Sequence, residues 1–209
     1  AYYTQISDAP LARLHLIVKV TPGVAAPCSV EEVERRLVEA GRDWREDFCQ
    51  CLVAHHGEAR GLELFRLHGN AFPVAYRESF DAAETVSDVA HVEAALASDM
   101  VGMDLYRPPG VEKHRVRFKL YHRDAPVPLS DVLPMLENMG FKVIDEVPHR
   151  IEPRDHDHEV WIHDFGLLGS SGAAIDLVRV KPLFEAAFTR IWSGEVENDG
   201  FNKLVPGAG

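Results

Sequence analysis

An α+β fold, an antiparallel sheet with helices packed on one side, follows from two features of this sequence. Between Lys113 and Trp192 the residue patterns run strand, helix, strand, strand, helix, with the apolar period switching between 2 and 3.6. The switches fall at strong breakers: Pro126 and Pro128, Gly140, and the polar loop around Arg154–His158. A four-stranded sheet needs one strand more than this unit supplies. Leu11–Val20 and Met100–Tyr106 are the two candidates.

Each element of the unit has a local reason. Val116-Arg-Phe-Lys-Leu-Tyr121 alternates apolar and polar or amphipathic residues, as a half-buried strand does. After the proline turn, Leu129, Val132, Leu133, Leu136 and Met139 recur at helical spacing, and Gly140 stands where a C′ glycine ends a helix. Phe141 to Val147 is the second strand and Glu159 to Phe165 the third. Leu183, Phe184, Ala187, Phe188, Ile191 and Trp192 make the stripe of a last amphipathic helix. Leu133 and Leu136 are expected in the core.

Upstream, Leu11–Val20 is strand-like and stops at Thr21-Pro22-Gly23. Ser29 and Glu32 have capping-box spacing, and one helical stripe then runs through Val33, Leu37, Ala40, Trp44, Phe48 and Leu52 to His55. Glu58 to Leu67 predicts a shorter helix, Val74 to Phe80 one or two turns more. Asp81 and Glu84 cap a further helix through Val86, Val89, Val92 and Leu96. The expected organisation is residues 1–97 as a strand plus helical segment and 98–193 as the βαββα unit. Residues 194–209 form a junction, with an acidic run leading into Phe201, Leu204 and Val205.

Hydrophobic residues at 46% and charged residues at 26% of a 209-residue chain describe an ordinary globular protein with a sizeable core. A net charge of -11 excludes nucleic acid and anionic membrane as natural partners, since both repel it. No apolar run approaches the ~20 residues that span a bilayer. Three cysteines without a signal peptide read as reduced thiols in a cytoplasm. The chain opens Ala-Tyr-Tyr and closes Pro-Gly-Ala-Gly, and so reads as a piece of something larger.

The candidate chemistry is thin. Asp155-His-Asp-His-Glu159 offers metal-ligand types, but consecutive side chains diverge, and the reading is a solvated hairpin loop without metal. His55-His56 suits a helix C-terminus. Cys49 and Cys51 lie on different helix faces. Gly166-Leu-Leu-Gly169-Ser-Ser-Gly172 matches neither dinucleotide nor phosphate loops and reads as a flexible turn. No catalytic, cofactor or metal residue is assigned. A small independent enzyme would require Asp155–Glu159 to converge with His163 and Asp164.

Two resemblances arise on residues already quoted. The strand and helix order, with Asp124-Ala-Pro126-Val-Pro-Leu129 at the first strand-to-helix turn, resembles an ACT domain. ACT domains are small βαββαβ, ferredoxin-like regulatory modules that often bind amino acids at paired interfaces. Asp124, Pro126 and Leu129 match the family's D-x-P-G-x-L turn and are the implied ligand-binding positions. Val127 replaces the glycine, and its branched side chain obstructs close approach to the backbone there.

The second resemblance covers most of the chain. Trp44, Ala71-Phe-Pro-Val-Ala-Tyr-Arg-Glu-Ser-Phe80, Leu129 to Gly140, Val160-Trp-Ile-His-Asp-Phe165 and Ile191 to Leu204 are similar to the very large bacterial NAD-specific glutamate dehydrogenases. The resemblance implies a non-catalytic regulatory or assembly segment. In that family the ACT-like region precedes the catalytic domain, which would hold NAD and convert L-glutamate to 2-oxoglutarate. It also implies that downstream domain, further copies of the parent and an amino-acid effector as partners. The alternative is a free-standing ACT-like sensor of amino acids, which needs an open pocket near Asp124–Leu129.

Overall fold

The computed structural model describes residues 2–5, 13–16, 29–34, 43–98 and 100–200. Two compact units are present, Ala1–Arg42 and Asp43–Gly209. The expected division at 97/98 therefore runs through the second unit. In the first, β1 (Tyr2–Gln5) and β2 (Arg13–Leu16) pair antiparallel, Tyr2 opposite Leu16. The expected strand 11–20 thus belongs, over its described residues, to a separate two-stranded sheet. The Glu32 amide donates to Ser29 Oγ at 3.2 Å, at the head of a helical stretch over residues 30–34. Leu37, Ala40 and the Phe201–Val205 patch lie outside the described residues.

The second unit opens with four helices: α1 (Trp44–His56), α2 (Glu58–His68), α3 (Val74–Ser79) and α4 (Ala82–Ala97). The single stripe expected from Val33 to His55 is interrupted, because Asp43 starts a helix of its own. Its backbone is extended, and its carboxylate accepts the Arg45 amide at 3.0 Å. α1 and α2 then cross closely at Gly61. A Cβ there would meet the Val53 Cα at 2.5 Å, so only glycine fits. Asp81 and Glu84 complete the expected capping box of α4.

The sheet unit follows as β3 (Gly102–Tyr106), β4 (Arg115–Arg123), α5 (Leu129–Asn138), β5 (Phe141–Ile151), β6 (Val160–Gly169) and α6 (Leu177–Trp192). All neighbours are antiparallel, in the order β3-β4-β6-β5. The Met100–Tyr106 candidate therefore completes the sheet. It precedes β4 in the chain but lies beside it, where the last strand of a βαββαβ module would lie. α6 also guards this edge, with Glu185 accepting the Leu105 amide at 2.9 Å.

Three strands run longer than expected, β4 by one residue at its start and two at its end. β5 continues through Pro148 because it is an edge strand, where a missing backbone donor is tolerated. β6 continues to Gly169, so Gly166-Leu-Leu-Gly169 is strand, and the turn begins at Ser170. Gly166 lies opposite a bulge between Val143 and Asp145, and the Asp145 carboxylate fills the space beside it. A Cβ at Gly166 would lie 2.7 Å from both Asp145 carboxylate oxygens.

The expected pair of helices covers one sheet face. Phe118 and Leu120 of β4, Phe165 and Leu167 of β6 and Phe141 of β5 pack on Val132, Leu136, Phe184 and Phe188. The Phe118 ring stands 5.0 Å from both Phe184 and Phe188. Leu136 is fully buried, whereas Leu133 is only partly so. The opposite face is not solvated. Tyr121, Val160, Ile162 and Ile151 share a second core with Phe48, Leu52, Tyr76, Phe80, Val89 and Val92 of the helical segment.

Candidate functional site

The β4–α5 turn places Asp124, Pro126 and Leu129 at one end of the sheet. Asp124 adopts the left-handed region (φ 66°), its amide bonded to the Glu159 carbonyl at 2.9 Å. His158 Nδ1 lies 2.9 Å from its carboxylate. Pro126 is exposed and Leu129 is 40% exposed. Val127 turns inward, 4% exposed within the first core. Its amide donates to His163 Nε2 at 2.9 Å, and His163 Nδ1 faces Glu146 Oε1 at 2.7 Å. That pair of bonds fixes the tautomer: Nδ1 carries the proton and Nε2 accepts. The amide that a glycine would offer to a ligand is thus engaged from inside.

His163 and Asp164 do not converge with the Asp155–Glu159 loop. As strand neighbours they face opposite sides of the sheet. The loop's own side chains disperse too: Asp155 pairs with Arg66, His158 with Asp124 and Glu159 with Arg150. The His55 and His56 rings meet at 4.6 Å on the last turn of α1, and Cys49 and Cys51 are half-buried free thiols.

The densest charged cluster is on the helical face of the sheet. Lys119 of β4 and Asp88 of α4 form a buried ion pair at 2.5 Å. Asp88 also accepts the Tyr121 hydroxyl at 2.7 Å and the Tyr76 hydroxyl. Burial pushes both phenols far up, and the Asp88 charge adds to it, so they remain donors. Three rings surround the Lys119 ammonium: Phe80 at 3.8 Å, Tyr106 at 5.1 Å and Tyr76 at 5.8 Å.

Beside this pair lies a second set. Arg117 Nε donates to Asp164 Oδ2 at 2.8 Å, and its Nη2 to Asp145 Oδ1 at 3.1 Å and the Asp164 carbonyl at 3.2 Å. Tyr106 donates to the same Asp164 carboxylate at 3.2 Å. Burial raises the Asp164 pKa, with Arg117 and Lys119 opposing. These groups line a half-open cavity of about 280 Å³ with Phe80, Glu84 and His149. Burial, with Lys119 nearby, lowers the His149 pKa to about 4, so the imidazole is neutral at pH 7. A smaller hollow lies around Arg115 and Ile144, about 140 Å³, and a larger, more open one beside Cys51 and His55, about 520 Å³. None of these three is lined by Asp124, Pro126 or Leu129.

Sequence reasoning passed over Lys119, Asp88, Arg117 and His149. The available signal was the alternation of β4 itself, which puts Arg117, Lys119 and Tyr121 on one face. Among the described residues no three His, Cys, Asp or Glu side chains are placed to hold a metal ion, and no helix is long and apolar enough to cross a membrane.

Known proteins match the chain in three consecutive stretches. Residues 1–45 match the family described as glutamate dehydrogenase, ACT2 domain; 51–95 match its helical motif 2; 100–180 match its ACT3 domain. The first match adds an ACT-related stretch where only a strand and helices were expected. An NAD-specific glutamate dehydrogenase of Halomonas elongata is 37% identical over 207 residues, 99% of this chain and 13% of that protein. That of Pseudomonas aeruginosa is 34% identical over 98% of the chain, 12% of its own length. That of Mycobacterium tuberculosis is 29% identical over 100% of the chain, 14% of its length. The chain thus spans 12–14% of the relatives it matches.

Proposed function

We propose, since the chain belongs to the glutamate dehydrogenase family, that it is a regulatory and assembly segment of an NAD-specific glutamate dehydrogenase. On this reading the parent oxidises L-glutamate with NAD and water to 2-oxoglutarate, ammonium and NADH in the cytoplasm. NAD and the reacting groups belong to residues outside these 209. Its partners are the catalytic domain, further copies of the parent and an amino-acid effector at the Asp124–Leu129 turn.

One observation carries the reading. The buried Lys119–Asp88 pair and the shared core fasten the ACT3-matched sheet to the helical motif within one compact unit. A sheet supported on both faces is a rigid body, suited to hold neighbours in place or to transmit a shift. The test has two arms. Pure 209-residue chain with saturating NAD and glutamate should form no NADH. Full-length enzyme lacking residues 43–200 should lose its native assembly or its response to effectors. Turnover by the pure chain that survives a second purification, or native assembly and kinetics in the deletion, overturns the reading.

A further inference from the structure

Among the described residues, two buried side-chain nitrogens have no hydrogen-bond partner, Arg77 Nε and His68 Nδ1. Arg77 is only half-buried and its guanidinium lies over the Trp44 ring, whereas His68 is wholly buried. His68 ends α2, and its other ring nitrogen, Nε2, lies 2.7 Å from Glu93 Oε1 of α4. A carboxylate only accepts, so Nε2 carries the proton and Nδ1 is a bare lone pair. A second proton would have to go on Nδ1, where the closed fold offers it neither water nor an acceptor.

The connection between β5 and β6 is fastened on both sides of this histidine. The Arg154 amide donates to the Leu67 carbonyl at 2.8 Å and the Glu152 amide to the Ala71 carbonyl at 3.2 Å. Pro153 between them is buried, and Asp155 pairs with Arg66. Further along, His158 and the Glu159 carbonyl both bond to Asp124, so the connection joins α2 to the β4–α5 turn. The charged and titratable groups around His68 are Glu93 and Arg60, themselves paired at 3.2 Å, and His156 of the connection. Burial holds the His68 pKa below its ordinary 6.5, Glu93 opposing and His156 and Arg60 adding to the effect.

We propose that residues 152–155 form an acid-released latch on α2, shut while His68 is neutral and lifted when Nδ1 takes a proton. Lifting breaks the two backbone bonds to Leu67 and Ala71 and lets water reach the imidazolium, while Glu93 keeps its bond to Nε2. The open form binds a proton that the closed form refuses, so acid shifts the equilibrium towards it. The latch does not depend on the regulatory reading.

The experiment measures amide exchange at Glu152 and Arg154 in the 209-residue chain at pH 7 and pH 5, corrected for the intrinsic rate at each pH. Amides in the middle of β4 serve as the reference for global opening. Protection at the two latch amides should fall together, by up to about 25-fold, the ceiling for uptake of one proton with an ordinary pKa of 6.5. The β4 amides should fall less. His68→Gln, which keeps a donor for Glu93 and takes no proton, should abolish the fall. The double variant His156→Gln/His158→Gln, altered only at exposed positions, should keep it in full. Unchanged protection at pH 5 in the unmodified chain overturns the proposal, as does an equal fall in β4. A fall that persists in His68→Gln, or one that the double variant loses, overturns it too.

Discussion

Lys119 and Asp88 meet at 2.5 Å between β4 and α4, both side chains almost wholly removed from solvent. A lysine and an aspartate this deep are tolerable only as a pair, because either charge alone would lose its hydration without compensation. The tyrosine hydroxyls of Tyr76 and Tyr121 complete the shell of the carboxylate. The pair fixes which helix lies on which strand.

Lys119→Met should therefore destabilise the chain by roughly 3–5 kcal/mol, since Asp88 would remain buried and unpaired. Adding Asp88→Asn should recover part of the loss, because the neutral amide no longer needs a cation. Denaturant midpoints of the two singles and the double give the coupling. A double variant as unstable as the sum of the singles would show that the two residues act independently.

Stability should fall on acidification, and His149 gives the window. Its pKa drops from an ordinary 6.5 to about 4 in the fold, the neutral form being favoured by burial and then by Lys119. Above pH 6.5 neither state is protonated at this site, so the contribution is complete. Below it the unfolded chain takes up a proton that the fold refuses, and stability declines until about pH 4, by ~3 kcal/mol in all. His149→Phe should flatten that slope. His68, also lowered by burial, leaves a residual slope of the same sign. Parallel curves for the two proteins would mean that His149 titrates normally.

Leu136→Ala should cost roughly 2–5 kcal/mol, because its fully buried side chain would leave a cavity under Phe184 and the sheet. Leu133→Ala should cost less, its side chain being only partly buried against the same core. Chemical denaturation of both variants orders them, and equal losses would place Leu133 as deep as Leu136.

The sheet unit was legible because its signals are local. Alternation marks β4, helical spacing marks α5 and α6, and Gly140 stops α5 with φ 86°. What was not legible depends on what covers a surface. Arg117 and Lys119 read as the outer face of a half-buried strand, and nothing near them in sequence says that α4 lies over them. Asp88 sits between Val86 and Val89 and is lost in their stripe. The break before α1 did have a local sign, Asp43 with Glu46 three residues on, but the apolar stripe through Ala40 and Trp44 runs straight across it. At the turn, Val127 was judged by what its side chain would do to a ligand. The structure gives that side chain to the core and the backbone amide to His163.

That last contact sets the final prediction. The Val127 amide is buried, and its bond to His163 Nε2 at 2.9 Å ties the Asp124–Leu129 turn to β6. Glu146 holds the other ring nitrogen at 2.7 Å, so the imidazole cannot swivel freely away. His163→Leu keeps most of the volume but removes both nitrogens, leaving a buried donor and a mostly buried carboxylate without partners. The loss should be about 1–3 kcal/mol for each group left unsatisfied. The local signature matters more than the total: Val127 amide exchange should quicken in the variant, while amides in the middle of β4 keep their order of protection. Val127 exchange that stays as slow as before would show that burial alone shields this amide. The turn would then be held by its prolines and the Asp124 bonds, and His163 would have no part in positioning it.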